Sequence, residues 1–587
     1  MTIHKDTQLV VVNSLDDLFT FKEWLGQRKD VIGVDTETTG LTWQNPTDDL
    51  RLVQIGDMMN GFVFPWHQWG GAFMEALTSW DGAITFHNSV FDLKFLSKFA
   101  NWDIPWNQIH DTLIMAKVVF PGQPATLKGM SEKYIDPRAD IGKEYLDKAM
   151  KDNGWGWDTV PIDHPAYTNY SALDPVLSAH LYDFLINHPN FHQEAYELEM
   201  SYLRIAYGME KQGMRIDVPY CEEQATILDD YTVQAKEYGK EEFGISIGSS
   251  KQIIEYMLSQ GAEFTQRTPK GFPSANADQL EEFSTDPNPD ISDLANLILE
   301  ARKAEKIKSS YFENFVEMNV DGILYPSINT MGAVTGRQSI RNPALQTLPS
   351  GSDIVRNAFI PRNEGEVMIS CDSDQVEARV FAVLCGDEHL QSAFHTADST
   401  GSDFFTEIGR LVYNDPQMTK ADDRRKLIKT YWYASLYGSG IKKMAKSANV
   451  SEHDMQEVAN KIATRFPAMK KYQNDTTMTT EHRGYVETML TGRKLPVESD
   501  KAYKGVNYTI QGSCAEFLKR SLIEMDARGI GENILLPIHD EVLVSCPPED
   551  AEEVKQIMKE CMTVSDYAVE LTAGPEGPFD FWGQKYS

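Results

Sequence analysis

DRRKLIKTYWYASLYGSG, residues 423–440, decides how this chain is read. Within it Arg425, Lys429, Tyr433 and Tyr437 recur every four residues. On an α-helix that interval sets all four on one gently drifting ridge, about 18 Å long at ~1.5 Å rise per residue. Two cations followed by two aromatic rings are the wrong composition for a packed core face. They suit a triphosphate, followed by a sugar and a base stacked on a ring. The competing reading is a basic amphipathic surface helix, because charge runs commonly mark solvated faces.

The segments on either side supply carboxylates. GEVMISCDSDQVEARVFAVLC (365–385) reads as a strand running directly into a helix, and the apolar part of that strand ends in Asp372. ILLPIHDEVLVSC (534–546) has two apolar flanks around a polar centre, the pattern of a hairpin with Asp540 at its tip. Neither aspartate is informative alone. Strand-end aspartates more often form turns than bind ligands, and His-Asp recurs at His110-Asp111 and His453-Asp454.

A second acidic centre lies far upstream. In VIGVDTETTG (31–40) an apolar strand runs into Asp35 and Glu37, whose period-2 spacing turns both carboxylates to one side. Two like charges buried together are unfavourable unless they are protonated or a cation compensates them. FHNSVFDLKFL (86–96) sets Asn88 and Asp92 four apart on one helical face, and NYSALDPVLSAHL (169–181) does the same with Tyr170 and Asp174. Pro175 disfavours helix at Asp174, so an irregular helix is expected there. Asp35, Glu37, Asp92 and Asp174 together offer hard oxygen ligands for two divalent cations, magnesium or manganese. Two ions about 3.5–4 Å apart can hold both the attacking and the leaving oxygen of a phosphoryl displacement. This set resembles the DEDD exonucleases in their DEDDy form, which implies that Tyr170 orients the attacking water.

At 587 residues the chain has room for two to four domains, and 41% hydrophobic with 24% charged residues is ordinary for a soluble globular protein. Six scattered cysteines form no C-x-x-C pair, so neither a disulfide framework nor a zinc site is indicated. MTIHKDTQLVVVNS (1–14) lacks the layout of a signal peptide, and no apolar run approaches a membrane span. A net charge of −32 speaks against a nucleic-acid partner only in the sum, since ARKAEKIK (301–308), DDRRKLIK (422–429) and IKKMAK (441–446) are local basic clusters. A strand–helix mixture runs to about residue 185, INHPNFHQ (186–193) reads as a linker, about 194–320 is mostly helical, and about 400–485 is helical again.

Taken together the chain resembles family A DNA polymerases with a 3′→5′ proofreading exonuclease, of the bacterial DNA polymerase I large-fragment type. DSDQVEAR (372–379) matches motif A, 425–438 the R-x-x-x-K-x-x-x-[FY]-x-x-x-Y-G helix, and His539-Asp540-Glu541 motif C. TGRQSIRNPALQTLP (335–349) matches the stretch between thumb and palm, and NYTIQG (507–512) a primer–template segment. The fold implied is a mixed α/β and α+β multidomain chain. A ribonuclease-H-like exonuclease (1–190) is followed by a right-hand polymerase domain (194–587), with thumb about 194–325, palm about 326–400 and 486–587, and fingers about 401–485. With only about 25 residues ahead of the exonuclease, no 5′-nuclease domain is expected, a layout common in phage polymerases.

The resemblance implies roles residue by residue. Asp372 and Asp540, with the Ser373 carbonyl, hold two Mg2+ ions, for which Mn2+ substitutes. Arg425 and Lys429 neutralise the triphosphate, and Lys429 gives a proton to the pyrophosphate. Tyr433 lies beside the incoming sugar, Tyr437 closes the pocket near the templating base, and Glu377 excludes ribonucleotides. Arg337, Gln346, Arg379, Asn507 and Gln511 contact the primer–template, and His539 steadies the primer end. Partners implied are primer–template DNA and deoxynucleoside triphosphates, with the chain a monomer in the host bacterial cytoplasm, no membrane, and replication accessory proteins allowed. The short stretch from SSKQIIEYMLSQG (249–261) to TPKGFPS (268–274) leaves no room for a long clamp-recruiting insertion, so no thioredoxin-type clamp is expected. Three positions depart from the family pattern: Ser373-Asp374 stands where Tyr-Ser is usual, Ala344 where Asn is common, and Phe405 where a phosphate-contacting His is usual. Two rival readings are a stand-alone exonuclease whose C-terminal region only grips DNA, and a non-enzymatic replication scaffold.

Overall fold

The computed structural model describes residues 7–349 and 353–586, so the first six residues of the N-terminal stretch quoted above lie outside them. Six strands build the N-terminal sheet: β1 (Gln8–Val11), β2 (Ile32–Thr38), β3 (Leu50–Gly56), β4 (Asn60–Pro65), β5 (Ile84–Phe86) and β6 (Ile109–Asp111). Their order is β1-β4-β3-β2-β5-β6, with β3 antiparallel to both β2 and β4 and the other pairs parallel. β2 is interior, and only Asp35 along it is not buried. The helix Pro165–Ile186 crosses β2 so closely that a Cβ on Gly33 would meet the Pro175 carbonyl, a contact only glycine permits. The irregular helix expected at Pro175 is a correction. The helix runs unbroken through it, because burial on every side from Ser171 to Ala179 outweighs the lost backbone donor. Asn88 is a second correction, since it is a left-handed cap (φ 72°) ahead of helix Ser89–Ala100 and not on the helix face with Asp92.

Residues 187–192 form the expected connection, and helix Gln193–Gln212 then serves two cores. Its Ala195, Tyr196, Leu203 and Tyr207 pack with the N-terminal sheet, while Tyr202, Ile205, Ala206 and Met209 pack with the second sheet. That division follows helical periodicity. Behind it lies a buried ionic cluster. Lys519 Nζ donates to both oxygens of Glu199 (2.6 and 2.8 Å), and Arg493 donates to Glu199 Oε1 (3.0 Å). Such a pair is costly to break, because one partner would be left charged in the interior.

A helical unit with its own core, including Phe243, Ile253, Met257, Leu280, Leu294 and Ile298, spans Val218–Phe243, Ser250–Ser259, Ala277–Phe283 and Pro289–Ile307. The second sheet is antiparallel, in the order Ile534–Ile538, Glu541–Cys546, Val367–Ser373, Ala573–Phe579. Six helices run from Glu388–Thr400 to Pro467–Arg483, and all but Ile441–Ala448 share a separate core with helix Val376–Cys385 and the long helix Gly505–Ala527. No helix among the described residues is long and apolar enough to cross a membrane.

Candidate active sites

At the first site the strand and the crossing helix deliver what their spacing promised. Carboxylate oxygens of Asp35, Glu37 and Asp174 all lie within 4.8 Å of one another. Asp92 is outside that group of three; from helix Ser89–Ala100 it acts on Asp35 through its charge, and its Oδ1 accepts from Thr36 Oγ1 at 2.7 Å. Burial drives all four upward: Asp35 well above its usual range with Asp92 and Asp174 adding repulsion, Glu37 to about 8, Asp92 to about 7, and Asp174 in the same direction. The all-oxygen donor set and the concentration of buried like charge fit a hard divalent cation. Tyr170 sits one turn before Asp174, whose charge, followed by burial, raises the phenol.

Sequence reasoning missed two residues here. Lys128, from helix Leu127–Tyr134, ion-pairs with Asp174 and places its ammonium 4.5 Å over the Tyr170 ring. Ser171 Oγ donates to Glu37 Oε1 at 3.2 Å. Nothing in the local spacing ties Lys128 to the acids, whereas Ser171 lies one turn before Pro175 on the same helix and was within reach of the motif.

The raised carboxyls have a pH consequence. In the folded, metal-free protein they keep protons that the unfolded chain loses near pH 4. Their contribution is therefore fully present below that pH and is lost as pH rises through about 7 and 8. With chelator present, the melting temperature of the N-terminal region should fall by several degrees between about pH 5 and pH 8, and a divalent cation should restore it. Glu37→Gln should flatten the profile. A flat profile in the unsubstituted chain would mean that the acids are not held protonated.

At the second site two strand ends are tied together. Asp372 lies near the end of Val367–Ser373, and His539-Asp540 form the two-residue turn of the hairpin, His539 at φ 59°. The Ser373 amide donates to the Asp540 carbonyl at 3.1 Å. Burial, then the charge of Asp540, lifts Asp372 to about 7, and burial lifts Asp540 as well. Asp372 Oδ1 is buried without a hydrogen-bond partner among the described residues, which leaves an oxygen free for a cation. A cavity of about 560 Å³ opens here, and of the predicted residues Arg337, Gln346, Ser373, Glu377, Tyr433, His539 and Asp540 line it.

The ridge is a helix as expected, Asp423–Leu436, with Tyr437 as its C-cap and Ile428, Trp432 and Leu436 buried along the adjoining face, one residue before each ridge position from Lys429 onward. Arg337 pairs with Glu377, Tyr437 Oη donates to Glu377 at 3.4 Å, and Gln511 Nε2 donates to Tyr437 Oη at 3.3 Å. Lys429 is exposed, its ammonium 6.0 Å from the Phe405 ring. Arg425 is engaged by Asp403 through two bonds of 2.6 and 2.7 Å, so an incoming phosphate must compete with that carboxylate. Phe405 is a core residue, its ring 5.7 Å from Tyr433. Asp374 is exposed and accepts from Thr572 Oγ1 at 3.1 Å.

Arg379 is a correction. It is buried, holds both oxygens of Asp398 at 2.6 and 2.9 Å, and donates to the carbonyls of Asp374 and Glu570, so its guanidinium is engaged within the protein and not presented to DNA. Asn507 is likewise buried in helix Gly505–Ala527, while Gln511, one turn on, is more open.

Residues 219–576 match DNA polymerase family A, and residues 11–188 match a 3′-5′ exonuclease family. The DNA polymerase of Mycobacterium phage L5 is 29% identical over 98% of this chain and 97% of its own length. That of Mycobacterium phage D29 is 27% identical over the same shares. DNA polymerase I of Streptococcus pneumoniae R6 is 28% identical over 60% of this chain and 41% of its own. The polymerase domain of Pol1 from M. smegmatis, solved with DNA primer-template and dNTP, superposes with a TM-score of 0.80 over 99% of this chain and 100% of that one, at 22% identity, and so shares the fold.

Proposed function

The chain belongs to DNA polymerase family A and carries a 3′-5′ exonuclease domain, and from that premise we propose that it copies a DNA template by two-metal chemistry and edits its own product, as the replicative polymerase of a phage in the host cytoplasm. The observation that carries this is the single cavity where Asp540, Ser373, Glu377, Tyr433 and Arg337 meet beside the tied end of the Asp372 strand. Divalent cations there, magnesium or manganese, would lower the pKa of the primer 3′-hydroxyl and neutralise the triphosphate.

The chain's own residues do the rest. Asp372, Asp540 and the Ser373 carbonyl hold the ions, Arg425 and Lys429 bind the phosphates, and Lys429 gives a proton to the leaving pyrophosphate. Glu377, fixed by Arg337 and Tyr437, crowds the 2′ position of the sugar. At the exonuclease centre Asp35, Glu37, Asp92 and Asp174 hold the ions for hydrolysis, and Tyr170 orients water. The independent core of the 218–307 helical unit supports its reading as a thumb, with the sheet from Val367 to Phe579 as palm and the helices from about 401 to 485 as fingers. Two of the departures from the family pattern are compatible with this reading: Asp374 is exposed and bonded to Thr572, and Phe405 is packed in the core. Primer extension with magnesium, with and without nucleotides, tests the proposal. Lengthening with nucleotides and shortening without them is the expected result. Shortening alone would leave a nuclease, and neither would leave a scaffold.

A further inference from the structure

The C-terminal turn Trp582–Tyr586 folds back beneath the second site, and no role in the chemistry above uses it. Its target is Glu541. This glutamate pairs directly across the sheet from Asp372, so the two side chains share a face, and it follows Asp540 in sequence. A third carboxylate therefore stands beside the two proposed to hold cations. It is fully occupied: Ser370 Oγ donates to it at 2.5 Å, Trp582 Nε1 at 3.1 Å and Tyr586 Oη at 2.9 Å, and Lys585 Nζ lies 3.1 Å away. The Lys585 ammonium also reaches Ser370 Oγ at 3.0 Å and stands 3.9 Å from Asp372 Oδ2. It is nearly buried, and the tail is pinned from outside by Arg356, whose guanidinium lies 5.1 Å from the Trp582 ring and 4.7 Å from the Tyr586 ring.

We infer that Lys585 is a positioning residue of the polymerase centre: with Tyr586 it ties Glu541 into the C-terminal turn, keeps that carboxylate from joining the cation site, and so limits the carboxylate ligands there to Asp372 and Asp540. This rests on the metal-binding reading of those two aspartates. A site with one carboxylate too many binds its cation more tightly and neutralises it more fully, which leaves less charge to act on the primer hydroxyl and the triphosphate. A merely structural role for the tail predicts the opposite, since a loosened site binds the cation more weakly.

The test uses the full chain carrying Asp35→Ala and Glu37→Ala, so that the exonuclease centre does not obscure the count. Mn2+ binding is read from the loss of the free-ion paramagnetic resonance signal, and extension is read separately at saturating nucleotide. Lys585→Met should bind Mn2+ about tenfold more tightly, the scale on which partners of metal ligands act, and extend about tenfold more slowly. Lys585→Arg should stay near the parent in both. Tyr586→Phe, which removes one hydroxyl and is safe for folding, should move both readouts the same way by a smaller factor. Unchanged or weaker Mn2+ binding in Lys585→Met and Tyr586→Phe overturns the inference. Asp540→Ala in the same background separates the deeper failure: if it leaves Mn2+ binding untouched, the cation site itself is wrongly placed and the role of Lys585 falls with it.

Discussion

Asp540→Ala should stop primer extension while leaving exonucleolytic shortening of the same primer intact, and Asp35→Ala with Glu37→Ala should do the reverse. At each centre the loss should be at least about a thousandfold, which corresponds to roughly 4 kcal/mol of transition-state stabilisation. That is a modest demand on a site whose chemistry depends on cations held by so few carboxylates. The selectivity follows from the fold. Asp35 and Glu37 stand on the interior strand of the N-terminal sheet, while Asp540 turns the hairpin of the second sheet, and each sheet has its own apolar core. The strand ladders survive these truncations, and the Asp540 change gives up only the bond its carboxylate accepts from its own amide in the turn. Loss of Asp540 also removes the charge that, after burial, does most to raise Asp372. Asp372 should then ionise more readily, yet hold a cation with only half the site. Initial rates on one labelled primer, with and without nucleotides, measure both activities. Near-total loss of extension in the Asp35/Glu37 variant would sink the separation of the two centres.

The Asp35–Glu37 pair and the 425–437 ridge were legible because they lie in short segments with a fixed geometric period, whereas Asp372 and Asp540 have no such period and were reached through the family resemblance of their segments. A D-x-E on an interior strand must show both acids to one side, and a four-residue interval on a helix must make a ridge. The features that escaped are of another kind. Glu199 meets Lys519 and Arg493 only after the chain has travelled around both sheets, and no local pattern marks a buried ion pair assembled from such distant pieces. Lys128 and Lys585 are similar, each an ordinary lysine until tertiary folding sets it against a carboxylate. Arg379 is instructive in the opposite direction. It lies two residues after Glu377 on one helix, and residues two apart do not share a face, so a cavity-facing Glu377 already implied an Arg379 pointed elsewhere. The unbroken helix at Pro175 shows a local preference outweighed by packing. The proline penalty is about 3 kcal/mol in an isolated helix interior, and the burial of residues 171–179 on every side offsets it.

Tyr433 should make the enzyme accept dideoxynucleotides readily, and Tyr433→Phe should restore discrimination against them by roughly ten- to a hundredfold. Its ring lines the same cavity as Glu377 and Asp540, and the buried Phe405 ring backs it with centroids 5.7 Å apart, which supports a side chain directed at the space a sugar would fill. Burial raises the phenol to about 12, which keeps it a neutral hydrogen-bond donor at working pH. A natural nucleotide satisfies the polar groups around it with its own 3′-hydroxyl, and a dideoxynucleotide leaves that place empty. The tyrosine hydroxyl can fill part of the gap and supply the missing bond, whereas phenylalanine cannot. A hydrogen bond to a charged group such as the triphosphate contributes about 1.5–3 kcal/mol, and at about 1.4 kcal/mol per decade that gives the stated range. Incorporation of ordinary nucleotides should change little, because the stacking area is nearly the same and no partner in the core is lost. Termination frequency in a direct competition between a dideoxynucleotide and its natural counterpart reads the effect. If both versions terminate equally often, Tyr433 does not face the sugar, and the ridge from Arg425 to Tyr437 is wrongly placed against the nucleotide.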